Sequence, residues 1–245
     1  MDELNALVRR VDEDRWLAAQ FGDADVRQRL TALYAVNYEI AHIGESVREA
    51  ALGGIRLAWW REALGEIAER KEPRAHPALT GFARASLTPL CALGLHRIAA
   101  ARAADFDAAP FPHWSDFERY LDATAGALMR LAIGVCAPGV EAGAFCECVG
   151  RAWGYVGMAR AEPFWRARGR SVFPRDGGGA EEALRRAGAA YLSAKQLAPA
   201  LPTRAFPAWG YIALVRAYLR TPTDRALNLF QRQVRLVVAS ASGRL

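Results

Sequence analysis

Acidic and imidazole side chains form one candidate functional group in the first quarter of the chain. Its members are Glu39, His42, Glu45 and Glu49. The last three are separated by three and four residues, so on a helix they share one side. Such a side could bind a metal ion or a cationic group, and the same spacing is typical of a solvated or cavity-facing polar stripe. The sequence leaves both interpretations open.

Arginines form a second candidate group, in a proline- and arginine-rich segment that we predict to be a loop from Pro163 to Gly179. The candidates there are Arg166, Arg168, Arg170 and Arg175. Arginine binds phosphate through two parallel hydrogen bonds, so this segment could hold a phosphate or a lipid headgroup. A solvated loop is the alternative. Arg56 is a further anion-binding candidate, with structural packing as the alternative.

Helices are predicted to position both groups. Apolar residues recur at three- and four-residue spacing from Leu30 to Val47, which indicates a helix with one buried face. We expect this helix to break at Gly53-Gly54 and a second helix to begin at Ile55. Asp23 or Asp25 can cap the first helix. Further helices are predicted at 1–20, 77–87, 88–104, 115–137, 140–160, 180–198, 204–219 and 223–240, with a Ser115/Glu118 capping box and a Thr88 cap.

Two strings of residues resemble the squalene/phytoene synthases, an all-helical group. They are Leu33-Tyr34-Ala35-Val36 and Arg56-Leu57-Ala58-Trp59-Trp60-Arg61. The resemblance implies an all-α, single-domain isoprenoid-synthase-like helical bundle over residues 1–245. In working members a motif close to Asp-Asp-x-x-Asp follows the first string. In register it falls on residues 41–45, where two of the three carboxylates are missing.

The second half of a synthase site has a counterpart in residues 150–162. The family pattern Gly-x-Ala-x-Gln-x-x-Asn precedes a second aspartate-rich motif, and here Gly154 replaces the Gln and Gly157 the Asn. Ala161 stands where the resemblance places an Asp. The resemblance therefore implies a remnant site without catalytic or metal-binding residues, comprising Glu39, His42, Glu45, Glu49, Arg160 and Glu162.

The missing carboxylates bear directly on synthase chemistry. A synthase ionises a prenyl diphosphate, and magnesium ions hold the leaving diphosphate. Mg²⁺ prefers oxygen ligands in near-octahedral geometry, whereas alanine offers no ligand and imidazole suits softer metals. We therefore expect no cofactor. Two alternatives remain open: a Mg-dependent prenyltransferase with unusual ligands that condenses prenyl diphosphates, and a module that binds a prenyl or lipid ligand in the central cavity.

One branch of the family matches more of the sequence. The patterns Asn37-x-Glu39-x-Ala41, Arg160-Ala161-x-Pro163 and Arg204-Ala205-Phe206-Pro207-Ala208 look like the respiratory complex I assembly factor branch. This resemblance implies a non-catalytic protein whose partners are complex I subunits or assembly intermediates. A bacterial member would be cytoplasmic and peripheral at the inner membrane surface.

Composition and charge narrow the classes of partner and the cellular location that we expect. The net charge is +6, carried almost wholly by arginine, and could serve an anionic membrane surface or reflect compositional bias. No spacing typical of a helix-turn-helix or zinc finger occurs, so we expect no nucleic-acid partner. The N-terminal segment is acidic, which predicts no signal peptide, and no apolar run reaches the roughly 20 residues of a membrane span. The four cysteines are expected to be reduced packing residues.

Two expectations concern contacts. If the synthase arrangement holds, Glu45 and Glu49 face the arginines of residues 160–175, and we expect ion pairs to close the old cleft. The last helix is predicted to carry an apolar face together with arginines, a combination that can lie on an anionic bilayer, although packing into the bundle is the more common use. Its apolar residues are Leu227, Phe230, Val234, Val237 and Val238.

Overall fold

The computed structural model describes residues 2–107, 111–221, 223, 225, 227–243 and 245. Helices dominate these residues, and no strand occurs among them. The α-helices are α1 (Asp2–Val11), α2 (Glu13–Ala19), α3 (Ala24–Ser46), α4 (Ala50–Ala68), α5 (Pro77–Arg84), α6 (Pro89–Ala101), α7 (Trp114–Leu121), α8 (Ala127–Cys136), α9 (Gly143–Arg166), α10 (Gly179–Leu197), α11 (Phe206–Trp209), α12 (Val215–Tyr218) and α13 (Leu229–Ser242).

Helix α3 is the centre of the bundle, and from Leu30 to Asn37 it is buried on all sides, beyond the one buried face that its apolar spacing predicts. Leu30, Leu33 and Ile40 are completely buried, and the helix contacts α1, α2, α4, α5, α6 and α8. Each such side chain contributes about 1.5–3 kcal/mol through its removal from water. The predicted cap is confirmed, because the Asp23 carboxylate accepts a 2.8 Å hydrogen bond from the backbone N–H of Val26.

The break after α3 lies earlier than predicted. Residues 47–49 are extended, and α4 runs through Gly53 and Gly54, so the predicted break at these glycines is wrong. A Cβ on Gly53 would lie 2.1 Å from a ring carbon of Phe106. Gly53 therefore permits the close approach of an aromatic ring, which a local sequence pattern does not distinguish from a helix break.

The N-terminal segment also differs from its prediction. A single helix over residues 1–20 is wrong, because Asp12 leaves the helical region with φ −146° and ψ 58° and separates α1 from α2. The Asp12 carboxylate accepts a 2.6 Å hydrogen bond from Nη1 of Arg15. This interaction turns both side chains toward the interior.

Helices α7 and α8 are joined by one π-helical turn, Asp122–Gly126. At this turn the backbone of α9 packs directly on the chain, since a Cβ on Gly150 would lie 2.4 Å from the backbone nitrogen of Gly126. The small residues of this turn therefore allow the close approach of α9. Single π turns inside α-helices occur often beside functional sites.

The start of α7 is capped differently from the Ser115/Glu118 box, so that prediction is wrong. The helix begins at Trp114, and the Asp116 carboxylate accepts from the backbone N–H of His113 at 3.1 Å. Glu118 is used elsewhere, because it accepts hydrogen bonds from the Tyr155 hydroxyl at 2.8 Å and from Arg186 at 2.9 Å. The predicted Thr88 cap of α6 is confirmed.

Three helices in the second half of the chain have boundaries that differ from the predicted ones. Helix α9 continues through Pro163 to Arg166, so the loop does not begin at Pro163; the proline lies near the helix end and removes one hydrogen bond only. Residues 203–218 are not one helix but alternate short α and 3₁₀ turns, with the Phe206 ring packed against Gly210. Helix α13 begins at Leu229 with an Asn228 cap, and the predicted start near 223 includes residues outside those described.

The cysteine prediction is confirmed for packing. Cys91, Cys136 and Cys146 are buried, Cys148 is half-buried, and all four are free thiols. Burial raises the pKa of Cys136 to about 12 and that of Cys146 to about 11, which keeps both thiols protonated and unreactive at neutral pH.

Candidate functional site

A cavity of about 390 Å³ lies where α3 and α9 face each other, and we call it the central cavity. Its wall includes Ala41 and Glu45 from α3 and Gly157 and Ala161 from α9. The two segments that the sequence pairs as remnants of a synthase site therefore do line one space. The other lining residues are Val11, Asp12, Arg15, Asn37, Tyr38, Arg102, Asp105, Tyr120, Leu121, Thr124, Ala125, Leu128, Trp153, Gly154, Met158 and Trp165.

Two of the positions that the family uses for carboxylates, Ala41 and Ala161, offer no ligand atoms here, and Glu45 is the carboxylate that the first motif keeps. Ala41 and Ala161 carry methyl groups, and a Cβ on Gly157 would meet no atom within 4 Å. The cavity wall is thus small and apolar at the places where magnesium-binding side chains would project. This observation carries the functional argument below.

Arg15 is a charged cavity residue that the sequence analysis did not predict. It is 8% exposed, pairs with Asp12 at 2.6 Å and lies 4.9 Å above the ring of Tyr211. Burial alone would lower the pKa of Arg15, but Asp12 and the nearby phenols outweigh burial and hold the pKa above its ordinary value. The guanidinium therefore remains charged inside the protein.

A second ion pair occupies the opposite part of the wall. Arg102 contacts Asp105 at 3.3 Å and donates a 2.9 Å hydrogen bond to the Tyr120 hydroxyl, and that hydroxyl donates to Asp105. Burial raises the pKa of Tyr120 despite the adjacent guanidinium, so the phenol is neutral. Only the three-residue spacing of Arg102 and Asp105 could have indicated this pair from the sequence, and that spacing is a weak signal.

Glu45 faces the cavity entrance rather than its interior. Its carboxylate lies 2.9 Å from Nδ1 of His42, and both side chains are about half exposed, at 49% and 43%. The Tyr38 ring stacks on the imidazole at 5.2 Å between centroids. Of the predicted polar stripe, His42 and Glu45 are thus in contact.

Glu39 and Glu49 do not join that pair. Glu39 is half-buried and does not line the cavity, and Glu49 is exposed at the residue before α4. The prediction that Glu49 shares a helix side with His42 and Glu45 is wrong, because α3 ends at Ser46.

The predicted ion pairs between Glu45 or Glu49 and the arginines of residues 160–175 are also wrong. Arg160 turns away from the cavity, donates a 2.6 Å hydrogen bond to the carbonyl of Arg225 and lies 5.0 Å above the Tyr218 ring. Glu162 pairs with Arg166 at 3.5 Å, one helical turn away. Arg160 and Glu162 therefore contact Arg225, Tyr218 and Arg166, and neither reaches across the cavity to Glu45 or Glu49.

The remaining arginine candidates are not gathered into one site. Arg168 lies over the Phe164 ring at 3.5 Å and Arg170 over the Trp165 ring at 5.0 Å. Arg56 on α4 and Arg175 after α9 are exposed and lie on separate elements. Their use as anion-binding residues stays a prediction.

Magnesium does not fit this donor set. The cavity carboxylates of Asp12, Asp105 and Glu45 each already bind Arg15, Arg102 or His42. Across the described ranges, no three His, Cys, Asp or Glu side chains are placed to share a metal ion. A divalent cation at Asp12 or Asp105 would have to displace a guanidinium from a largely buried pair, which is unfavourable.

The bundle and its central cavity define the class as an all-α protein of the isoprenoid synthase fold. A dehydrosqualene synthase structure matches with a TM-score of 0.71 over 98% of this chain and 95% of that chain, at 12% identity. The squalene synthase HpnC from Alicyclobacillus acidocaldarius matches with a TM-score of 0.67 over 99% and 93%, at 16% identity.

The sequence pattern of the squalene/phytoene synthase family matches residues 8–178, and the chain belongs to this family. Two relatives share the name NADH dehydrogenase (ubiquinone) complex I, assembly factor 6. The Mus musculus protein is 25% identical over 236 residues, covering 87% of this chain and 71% of the relative. The Bos taurus protein is 25% identical over 246 residues, covering 91% and 74%.

Proposed function

We propose that this protein is a non-catalytic squalene/phytoene synthase homologue that acts as an assembly factor for respiratory complex I. The observation that carries the proposal is the pair Ala41 and Ala161, which line the cavity where the family's carboxylates would project. The names of the relatives from Mus musculus and Bos taurus supply the assembly role.

The charges of the central cavity support the loss of synthase chemistry. Release of diphosphate needs metal ions held by free carboxylates. Here each lining carboxylate is engaged by Arg15, Arg102 or His42. These pairs hold the cavity wall together instead of holding a metal–diphosphate complex.

The partners we propose are complex I subunits or assembly intermediates, met in the cytoplasm or peripherally at the inner membrane surface. None of the helices in the described ranges is both long and apolar enough to cross a bilayer.

A prenyl or lipid ligand in the central cavity is a second candidate, favoured by the size of that cavity. About 390 Å³ falls within the usual range for small-molecule sites. Leu121, Leu128, Met158 and Trp165 give it apolar walls for a hydrocarbon chain. Such binding would be compatible with an assembly role.

An enzymatic assay tests the non-catalytic part. Purified protein is incubated with farnesyl or geranylgeranyl diphosphate and Mg²⁺, beside an authentic squalene synthase, and diphosphate release and C30 or C40 products are measured. We expect no signal above that of the Glu45→Ala variant. Turnover by the wild type above that background would contradict the proposal.

A genetic assay tests the assembly part. We expect deletion in the native host to deplete assembled complex I on native gels, and both the wild type and Glu45→Ala to restore it. Normal complex I in the deletion strain would refute the assembly role. Rescue by the wild type but not by a stably folded Glu45→Ala protein would point back to chemistry at the cavity.

A further inference from the structure

A groove of about 810 Å³ runs between α13 and the segment that includes α12, on a surface separate from the central cavity. Arg216 and Arg220 lie on one side of it, and Val234, Arg235 and Val238 of α13 lie on the other. We call this surface the basic groove. These three arginines are exposed, as is Arg225, a fourth arginine that lines the groove.

The arginines of the basic groove have no acidic partner among the described residues. Neither Arg216 nor Arg220 takes part in an ion pair there, and Arg235 donates only to the carbonyl of Gln231 in its own helix, at 2.9 Å. No Asp or Glu occurs among the described residues that line the groove. The groove is therefore a positive surface in which the guanidinium groups of Arg216 and Arg220 make no ion pair with a described residue and can bind an anionic partner.

Helix α13 is fixed by its inner side. Leu236 and Ala239 are buried, and Arg232 contacts Glu13 at 2.5 Å and Asp14 at 3.1 Å. The orientation of the helix on the bundle is thus set by apolar packing and by paired charges. The outer side of the helix is therefore fixed in position, but no other part of the described protein covers it.

That outer side is apolar. The exposed fractions are 74% for Phe230, 43% for Val234, 57% for Val237 and 61% for Val238. A spacing of four, three and one residues places them on one side of a helix. Phe230 and Val237 are exposed and lie outside the groove lining. An anionic peptide bound within the groove would leave these two side chains in water, whereas a planar lipid surface can accept them together with the arginines.

We propose that the basic groove and the outer side of α13 dock this protein on an anionic phospholipid bilayer. In this arrangement Arg216, Arg220 and Arg235 bind lipid phosphates, while Phe230 and Val237 enter the boundary between headgroups and acyl chains. The inference rests on the peripheral membrane location in the proposed function, and it assigns that location to a defined surface and headgroup chemistry.

The test measures sedimentation of the purified full chain with phosphatidylcholine vesicles, with and without phosphatidylglycerol, at low and high salt. We expect binding only with phosphatidylglycerol, weakening as salt rises, since salt screens the attraction of exposed charges. A wild type that does not bind the anionic vesicles at low salt overturns the proposal.

Two variants locate the surface. The triple change Arg216→Gln, Arg220→Gln and Arg235→Gln should weaken binding by roughly 100-fold, since each arginine near an anionic membrane contributes a factor of about five. The double change Phe230→Ser and Val237→Ser should weaken binding to anionic vesicles at low salt and also at high salt. Circular dichroism melts verify that each variant is folded.

A matched control makes the same change of charge elsewhere. Arg27, Arg48 and Arg97 are exposed on α3, after α3 and on α6, and their change to Gln should leave binding within about twofold of the wild type. An equal loss in this control overturns the assignment to the groove. A second result would also overturn the assignment. It is a wild type that forms a dimer, together with groove variants that no longer dimerise but still bind vesicles as the wild type does.

Complex I rescue separates this inference from the proposed function. The groove variants could lose vesicle binding while the wild type fails to restore complex I. This result would support the docking surface and refute the assembly role. If the wild type restores complex I but does not bind vesicles, the assembly role is supported and the docking surface is refuted.

Discussion

The central cavity and the basic groove use the same side chain in opposite ways. In the cavity Arg15 and Arg102 are each held by a carboxylate, and aromatic rings cover part of the guanidinium surface. In the groove Arg216 and Arg220 are exposed and have no acidic partner within the described part of the chain. The cavity arginines thus hold the fold together, and the groove arginines are available to a partner.

The difference follows from burial. A charge removed from water must be paired and hydrogen-bonded, because the penalty of leaving it alone is several kcal/mol. An exposed charge keeps its hydration and needs no protein partner. The exposed apolar side chains of α13 beside these unpaired arginines are the reason that we propose an association surface there.

The largest effect is expected from breaking a cavity pair. Arg15→Ala leaves Asp12 without its partner and removes the guanidinium from the rings of Tyr34, Trp153 and Tyr211. We expect the free energy of unfolding to fall by about 3 kcal/mol, measured by urea denaturation.

The groove supplies the matching control for that measurement. Arg235→Ala removes an exposed side chain with no ion-pair partner in the described ranges and should change stability by no more than about 0.5 kcal/mol. Equal losses for Arg15→Ala and Arg235→Ala would refute the distinction between the two regions.

A smaller effect compares a tight contact between α9 and the π turn with the open space of the cavity. Gly150→Ala would place a Cβ 2.4 Å from the Gly126 backbone nitrogen, so we expect a loss of about 1–3 kcal/mol from overpacking. Gly157→Ala lies two helical turns further along α9, with no atom within 4 Å of its Cβ. It should be neutral or stabilise by up to about 1 kcal/mol, because alanine favours helix.

Thermal melts of the two glycine variants provide the comparison. Destabilisation by Gly157→Ala of the same size as by Gly150→Ala would mean that the cavity is filled at that position.

The smallest effect concerns the pair that was expected to cross the cavity. Glu45→Gln alters a half-exposed contact with His42 and should cost a few tenths of a kcal/mol. Arg160→Gln removes a bond to the Arg225 carbonyl and the contact with Tyr218, at a cost of about 1 kcal/mol. Because the two side chains share no partner, their effects should add.

A double-mutant cycle measured by urea denaturation checks this additivity. A coupling above about 0.5 kcal/mol would show that Glu45 and Arg160 interact in solution.

Much of the architecture could be predicted where local chemistry is sufficient. The apolar spacing of α3 predicts its buried face, and the caps at Asp23 and Thr88 are satisfied by backbone N–H groups a few residues away. The family register placed Ala41 and Ala161 at one site, and both line the central cavity. These features depend on residues near in sequence or on a pattern that the family shares.

The rest required the tertiary structure. Gly53 looks like a helix break in sequence but is helical against Phe106, and Arg160 looks like a cavity residue but contacts Tyr218 and the carbonyl of Arg225. Arg15 gave no distinct signal, yet it is the most buried arginine of the cavity wall. Sequence alone determined the all-helical class and the loss of carboxylates at positions 41 and 161. The structure decided which charges pair and which stay exposed, because burial and distance arise only when remote helices pack together.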